Sequence, residues 1–147
     1  MIYLDYSATT KARKEVLDTF IEVNEKYFAN PNSLHKLGIE AKKLSDAATN
    51  QIAHILNVKP EEIIYTSSSS ESNNMAIKGI AFQYQNRGKH IITTSIEHSS
   101  VYETCKELEE VFGFEVTYLD VNEEGFIDLE ELKNAITDKT ILVSIMF

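Results

Sequence analysis

Cysteine is almost absent from this sequence, since Cys105 is the only one among 147 residues. A single thiol cannot form a disulfide within the chain, and it excludes a metal site built from several cysteines of one chain. A reducing compartment fits this composition, and we expect a cytoplasmic protein. Cys105 lies between Val101 and Leu108 on an apolar stripe of helical spacing, which favours a buried structural thiol over a nucleophile.

Basic residues are also few, because Lys and Arg total 14 against 23 for Asp and Glu, and the net charge is -9. Non-specific binding of nucleic acid and attraction to anionic membranes both need an excess of positive charge, so we predict neither partner. The sequence does not open like a signal peptide, and no apolar run reaches the length of a membrane span. Apolar residues still make up 43% of the chain, which is enough for a folded core.

Glycine and proline are scarce, with five and two residues, and no stretch has the composition of a linker. We predict an N-terminal arm and two helices over residues 1–60, because apolar residues recur at helical spacing on both sides of a break at residues 30–33. Ser33 is the expected N-cap of the second helix. Residues 61–147 are predicted to form an α/β segment with the order βαβαβαβ.

Four short apolar runs in this second segment alternate with amphipathic stretches. The predicted strands are 62–66, 90–94, 115–119 and 140–145. Strands joined by helices form βαβ crossovers, so we predict an α/β fold with a mainly parallel sheet and helices on both faces. Ligands of such sheets bind beyond the carboxyl ends of the strands, so two loops that follow predicted strands are candidates for a ligand-binding site.

The first candidate loop is the segment TSSSSE at residues 66–71, which follows a predicted strand and opens a helix. Small hydroxyl side chains and the free N–H groups of a helix N-terminus suit a phosphate. An N-cap with spare serines explains the same residues equally well.

The second candidate loop, residues 94–100, contains His98. An imidazole can stack on a planar cofactor or transfer protons near neutral pH, although a lone loop histidine is more often a surface residue. Glu97 beside it could orient the ring or face solvent. The acidic segment 120–124 faintly resembles a calcium loop, but predicted strands flank it, so a solvated turn is the better interpretation.

Several sequence blocks carry a resemblance that spans essentially the whole chain. They are YLDYSATT at 3–10, NPNSLH at 30–35, TSSSSESNNMAIKG at 66–79, KHIITT at 89–94 with EH at 97–98, GFEVTYL at 113–119 and TILVSIM at 140–146. In this order and spacing they resemble the N-terminal part of the cysteine desulfurases, which are class V aminotransferases of the PLP-dependent fold type I. The resemblance implies a truncated version of that fold, in which residues 61–147 form part of the large cofactor-binding domain.

The resemblance also implies a reaction and a cofactor. Cysteine desulfurases convert L-cysteine to L-alanine with pyridoxal 5'-phosphate (PLP), and they pass the sulfur on as a persulfide for iron-sulfur cluster or thio-cofactor synthesis. Full-length relatives are homodimers that work with sulfur-acceptor proteins. The alternatives are another class V aminotransferase or a selenocysteine lyase relative, or a non-catalytic gene remnant or binding fragment.

Residue by residue, the match implies that Ser69 and Ser70 bind the cofactor phosphate. It implies that His98 stacks on the cofactor ring and acts as a catalytic residue in proton transfer. The family usually has Gly-Ala-Thr where this chain has three serines at 68–70, and a glycine lost at Ser68 would cause strain if that position needs a positive φ.

The 147-residue chain alone is expected to be inactive as a desulfurase. No residue in it matches the family's cofactor-bonding lysine, the aspartate that pairs with the pyridine nitrogen or the persulfide-forming cysteine, and the chemistry needs all three. Incubation with PLP, L-cysteine and a thiol reductant, followed by assays of sulfide and alanine, should show no turnover above that of free PLP. Turnover above that level would contradict the expectation.

Overall fold

The computed structural model describes residues 2–146, so Met1 and Phe147, the outer limits of the two predicted segments, lie outside the described residues. The chain divides into two compact units, with the boundary between Ile64 and Tyr65. Among residues 2–146, none of the helices has the length and apolar character that crossing a membrane requires.

The first unit is helical. Its elements are α1 (Lys14–Lys26), α2 (Lys36–Leu56) and a 3-10 turn (Pro60–Glu62). The N-cap predicted at Ser33 is wrong, because the side chain of His35 caps α2 by accepting a hydrogen bond from the N–H of Gly38. Ser33 belongs to the preceding turn, where its N–H donates to the carbonyl of Asn30 at 3.0 Å.

Gly38 allows this turn to lie against the start of α2. A Cβ at this position would overlap the carbonyl oxygen of Ser33 and would come within 2.8 Å of the carbonyl oxygen of Asn30. The turn and the glycine therefore belong to one local arrangement, in which the backbone approaches the helix more closely than any other residue type would permit.

The strand predicted at 62–66 is wrong. Glu62 belongs to the 3-10 turn, and the N–H of Ile63 donates back to the carbonyl of Pro60 at 3.2 Å. An apolar run becomes a strand only when neighbouring strands pair with its backbone groups. The sheet of the described residues contains three strands, and none of them pairs with this segment.

The second unit is an α/β structure. Its elements are α3 (Ser69–Tyr84), β1 (His90–Thr94), α4 (Ser99–Phe112), β2 (Glu115–Leu119), α5 (Leu129–Ala135) and β3 (Thr140–Val143). The strands lie in the order β2-β1-β3, and both pairings are parallel. The predicted α/β fold with a parallel sheet is confirmed, and the last strand ends two residues earlier than predicted.

The core of this unit lies between the sheet and the helices α3 and α4. All five residues of the central strand β1 are buried. Ile91 of β1 and Val116 of β2 pair in register and pack against both helices, while α5 contacts β2. The core cluster consists of Ile77, Ala81, Ile91, Val101, Cys105, Leu108, Phe114 and Val116.

The face of β1 opposite Ile91 carries the buried His90. Its Nδ1 lies 2.8 Å from the hydroxyl of Thr140 in β3, and its Nε2 lies 2.8 Å from the hydroxyl of Thr117 in β2. Side chains alternate along a strand, so this imidazole is on the side opposite Ile91. His90 therefore connects all three strands through its ring, which is a structural role.

Replacing Leu108 by alanine should lower the free energy of unfolding by about 2–5 kcal/mol, because the leucine is fully buried and the change leaves a cavity. The matched control is Leu129→Ala, since that leucine is 71% exposed and its loss should cost no more than about 0.5 kcal/mol. Urea denaturation followed by circular dichroism measures both. Equal effects would show that the helix-to-sheet core is not the main source of stability.

Candidate functional site

The carboxyl end of the sheet brings two strand ends together through Glu97. Its Oε1 accepts a hydrogen bond from the N–H of Met146, which follows β3, at 2.6 Å, and one from the hydroxyl of Thr94 at 3.2 Å. Glu97 is half-buried, and within residues 2–146 its carboxylate has no hydrogen bond to His98. The interpretation of Glu97 as a residue that orients His98 is therefore wrong, because the carboxylate joins the loops after two neighbouring strands.

The start of α3 is a tightly bonded turn. Ser68 is the N-cap, and its hydroxyl accepts from the N–H of Glu71 at 3.3 Å. The carboxylate of Glu71 in turn accepts from the N–H of Ser67 at 2.6 Å and from its hydroxyl at 2.7 Å. These bonds from the backbone and then the side chain of Ser67 lower the pKa of Glu71, so the turn keeps a charged carboxylate at neutral pH.

Serine at position 68 causes no backbone strain. Its φ of -164° lies in the extended region, which any residue can adopt. The glycine that the family usually has there is not required by the backbone of this chain, so the substitution leaves the geometry of the turn intact.

Ser69 and Ser70 are the first two residues of α3, and both are exposed. Among residues 2–146, neither hydroxyl has a hydrogen-bond partner. The first N–H groups of a helix have no acceptor within the helix, and the positive end of the helix dipole lies there. The two hydroxyls and these N–H groups form a donor set that suits a phosphate.

His98 is the N-cap of α4 and is exposed. Its Nδ1 accepts a hydrogen bond from the N–H of Ser100 at 3.1 Å and lies 2.8 Å from the hydroxyl of the same serine. Its Nε2 has no partner within the described part of the chain. One side of the ring is therefore fixed against the helix, and the other is available to a ligand.

A single hydrogen bond connects the two candidate loops. The side-chain amide of Asn73 in α3 donates to the hydroxyl of Ser100 in α4 at 2.8 Å. Asn73 lies one helical turn after Ser70, and residues three apart share a face of a helix. The structure thus brings the serines at the start of α3 and His98 at the start of α4 to one side of the sheet.

Sequence reasoning assigned no role to Asn73 or Ser100. The available signal was the position of each residue. Both are polar, both lie within the first five residues of a helix, and both follow a candidate loop residue by two or three positions. Spacing along one helix indicates which residues share a face, but it does not show which side chain of another helix lies opposite.

Two other candidates have structural roles. Cys105 is fully buried, and burial, followed by the charges of Glu97 and Glu109, raises its pKa to about 11. The thiol is therefore protonated at neutral pH, and its interpretation as a core residue is confirmed.

In the acidic segment, Oδ1 of Asn122 accepts two backbone N–H groups and closes a turn. The described residues contain no group of three or more His, Cys, Asp or Glu that could hold a metal.

Comparison with known proteins gives consistent matches along the chain. A family model described as "Aminotransferase class-V" matches residues 2–147. A protein of Colwellia psychrerythraea described as "Cysteine desulfurase IscS" is 53% identical over 148 residues, and the match covers 99% of this chain and 36% of that relative. The chain therefore spans little more than a third of the length of such relatives.

Solved structures show the same similarity. One described as "NIFS-LIKE PROTEIN" superimposes with a TM-score of 0.89 and 42% identity, covering 95% of this chain and 38% of its own. Another, described as "SspA in complex with cysteine", has a TM-score of 0.88 and 40% identity, covering 97% of this chain and 41% of its own.

The thiol of Cys105 should react slowly in the folded chain. A pKa of about 11 instead of 9.0 leaves roughly 100-fold less thiolate at pH 8, and the core shields the sulfur as well. The rate of labelling by the disulfide reagent DTNB at pH 8 should therefore be at least about 100-fold lower than in the chain unfolded by urea. Similar rates in both states would contradict the buried position.

Proposed function

Because this chain belongs to the class V aminotransferase family, we propose that it supplies the phosphate-binding turn and the ring-stacking histidine of a cysteine desulfurase. The proposed reaction converts L-cysteine to L-alanine with pyridoxal 5'-phosphate as cofactor. The sulfur is transferred as a persulfide, for iron-sulfur cluster or thio-cofactor synthesis. A cytoplasmic location, a homodimer and sulfur-acceptor proteins are part of the same proposal.

The donor set at the start of α3 fits the phosphate of this cofactor. Ser69 and Ser70 offer two hydroxyls with no partner among the described residues, next to the free N–H groups of the first helical turn. Hydrogen bonds to a charged acceptor are stronger than those between neutral groups, so this position favours a phosphate over a neutral ligand. The bonded turn of Ser67, Ser68 and Glu71 holds the donors in place.

His98 fits the role of a residue beside the cofactor ring. Its Nδ1 is fixed by Ser100, its Nε2 has no partner within residues 2–146, and the side chain is exposed. When bound, the cofactor supplies an electron sink for the reaction. This chain's own contribution is to bind the phosphate, to cover the cofactor ring with the imidazole of His98 and to present the Nε2 atom of that imidazole to the ligand.

The observation that carries the proposal is the 2.8 Å hydrogen bond between Asn73 and Ser100. Without it, the serine turn and His98 would be two separate loops with ordinary capping roles. With it, the N-termini of two helices lie side by side at the carboxyl end of a parallel sheet, which is where such sheets bind their ligands.

L-cysteine is the proposed substrate of the complete enzyme. The proteins named cysteine desulfurase match this chain over nearly its whole length, and one similar structure is described as a complex with cysteine. Those descriptions apply to the relatives, and they support the choice of substrate for this protein.

Replacing Ser70 by alanine should weaken the binding of PLP about tenfold or more, because a hydrogen bond to a charged group contributes about 1.5–3 kcal/mol. Equilibrium dialysis against the 147-residue chain measures the affinity. The matched control is Ser45→Ala, which removes the hydroxyl of an exposed serine in α2 and should leave the affinity unchanged.

Pyridoxal, which lacks the phosphate, provides the second arm of this experiment. The Ser70 variant and the unaltered chain should bind pyridoxal equally, because the hydroxyl that was removed contacts only the phosphate. Equal binding of PLP by both chains would show that the turn at the start of α3 is not the phosphate site.

A further inference from the structure

Three hydrogen bonds connect Asn73 of α3, Ser100 of α4 and the ring of His98. Asn73 Nδ2 lies 2.8 Å from Ser100 Oγ, Ser100 Oγ lies 2.8 Å from His98 Nδ1, and the backbone nitrogen of Ser100 lies 3.1 Å from the same Nδ1. Capping of α4 requires only the last of these bonds. The other two bonds connect the ring, through the hydroxyl of Ser100, to the side chain of Asn73 in α3.

The direction of each bond follows from which groups carry hydrogen. The backbone N–H of Ser100 can only donate, so Nδ1 of His98 must offer its lone pair. The amide nitrogen of Asn73 can also only donate, so the oxygen of Ser100 is its acceptor. The hydroxyl of Ser100 has one hydrogen, and it therefore points to Nδ1.

We propose that Asn73 and Ser100 are positioning residues that hold the neutral ring of His98 with its hydrogen on Nε2. Both donors meet at Nδ1, so a hydrogen on that nitrogen would displace the backbone N–H and would force the hydroxyl of Ser100 to reverse from donor to acceptor. Ser100 is buried, at 9% exposure, so little water reaches its hydroxyl to replace the bond. The tautomer is thus set by the protein and does not depend on a ligand.

This arrangement defines what His98 can do in the proposed reaction, and this part of the inference rests on the proposed function. A neutral ring with its hydrogen on Nε2 presents a donor to the cofactor or the substrate. It has no lone pair at that nitrogen with which to accept a proton. His98 therefore acts first as a hydrogen-bond donor. A role as a base at Nε2 would require the bond from the backbone N–H of Ser100 to break and the hydroxyl of Ser100 to become an acceptor.

Nitrogen-15 NMR of the imidazole tests the tautomer directly. The 147-residue chain is labelled at histidine, and long-range proton–nitrogen spectra at neutral pH distinguish a ring nitrogen that carries hydrogen from one that does not. A His98→Gln variant identifies the signals of His98 among those of the other histidines. We expect hydrogen on Nε2 and none on Nδ1, and the reverse arrangement would overturn the proposal.

Variants of the two positioning residues test the cause. Asn73→Asp replaces the donor by an acceptor of the same shape, so the hydroxyl of Ser100 should turn away from the ring and leave the backbone N–H as the one donor to Nδ1. The share of the tautomer with hydrogen on Nδ1 should therefore rise. Ser100→Ala removes the hydroxyl but keeps the backbone N–H, so it should raise the same share, while Ser100→Thr keeps a hydroxyl and should preserve the original tautomer. Ser99→Ala is the matched control, because Ser99 is an exposed neighbour whose hydroxyl has no partner in the described chain.

The outcomes distinguish failure of the positioning role of Asn73 and Ser100 from failure of the proposed function. A tautomer that is unchanged in both Asn73→Asp and Ser100→Ala would overturn the inference, even if PLP binds normally. A tautomer that responds as expected while no chain binds PLP would support the positioning role and contradict the proposed function. Circular dichroism of each variant confirms that the fold is kept, and the spectrum of the unaltered chain tests the tautomer without any substitution.

Discussion

The parallel pairing of β1 with both neighbouring strands is the constraint on which the rest of the second unit depends. Parallel strands end at the same edge, so the loops that follow β1 and β3 emerge next to each other. Helices must join such strands, and α3 and α4 pack together on the face that carries Ile91. Their first turns therefore meet beside the strand ends, and polar residues in those turns can bond to each other.

Much of this architecture could be predicted from the sequence. The runs at 90–94 and 115–119 are apolar and bounded by polar stretches, and both form strands with the predicted bounds. The resemblance to cysteine desulfurases rests on residues that lie close together in the sequence, and it is confirmed by the family match. Such local features are visible in a single chain because they need no knowledge of distant contacts.

What could not be predicted depends on partners distant in the sequence. The run at 62–66 has the composition of a strand, yet a strand exists only where another one pairs with it, and the described sheet offers no such neighbour. Glu97 was expected either to orient His98 or to face solvent, whereas its carboxylate accepts a hydrogen bond from the N–H of Met146, far along the chain. The bond between Asn73 and Ser100 likewise joins two helices that only tertiary packing brings into contact.

His90 also gives the sheet a means of alignment. Side chains alternate between the two faces of a strand, so a slip of one residue would carry the imidazole to the helix-packed face and separate it from both threonines. Burial of the apolar residues of β1 also disfavours such a slip, but apolar contacts do not specify which hydroxyl the ring of His90 bonds. Each ring nitrogen lies 2.8 Å from a threonine hydroxyl of a different neighbouring strand, so the ring can keep both hydrogen bonds only when β2 and β3 are both correctly aligned with β1. The same residue therefore aligns the start of β1 with both neighbours. The register with β2 continues unchanged to Thr94, whereas the register with β3 shifts by one residue directly after His90.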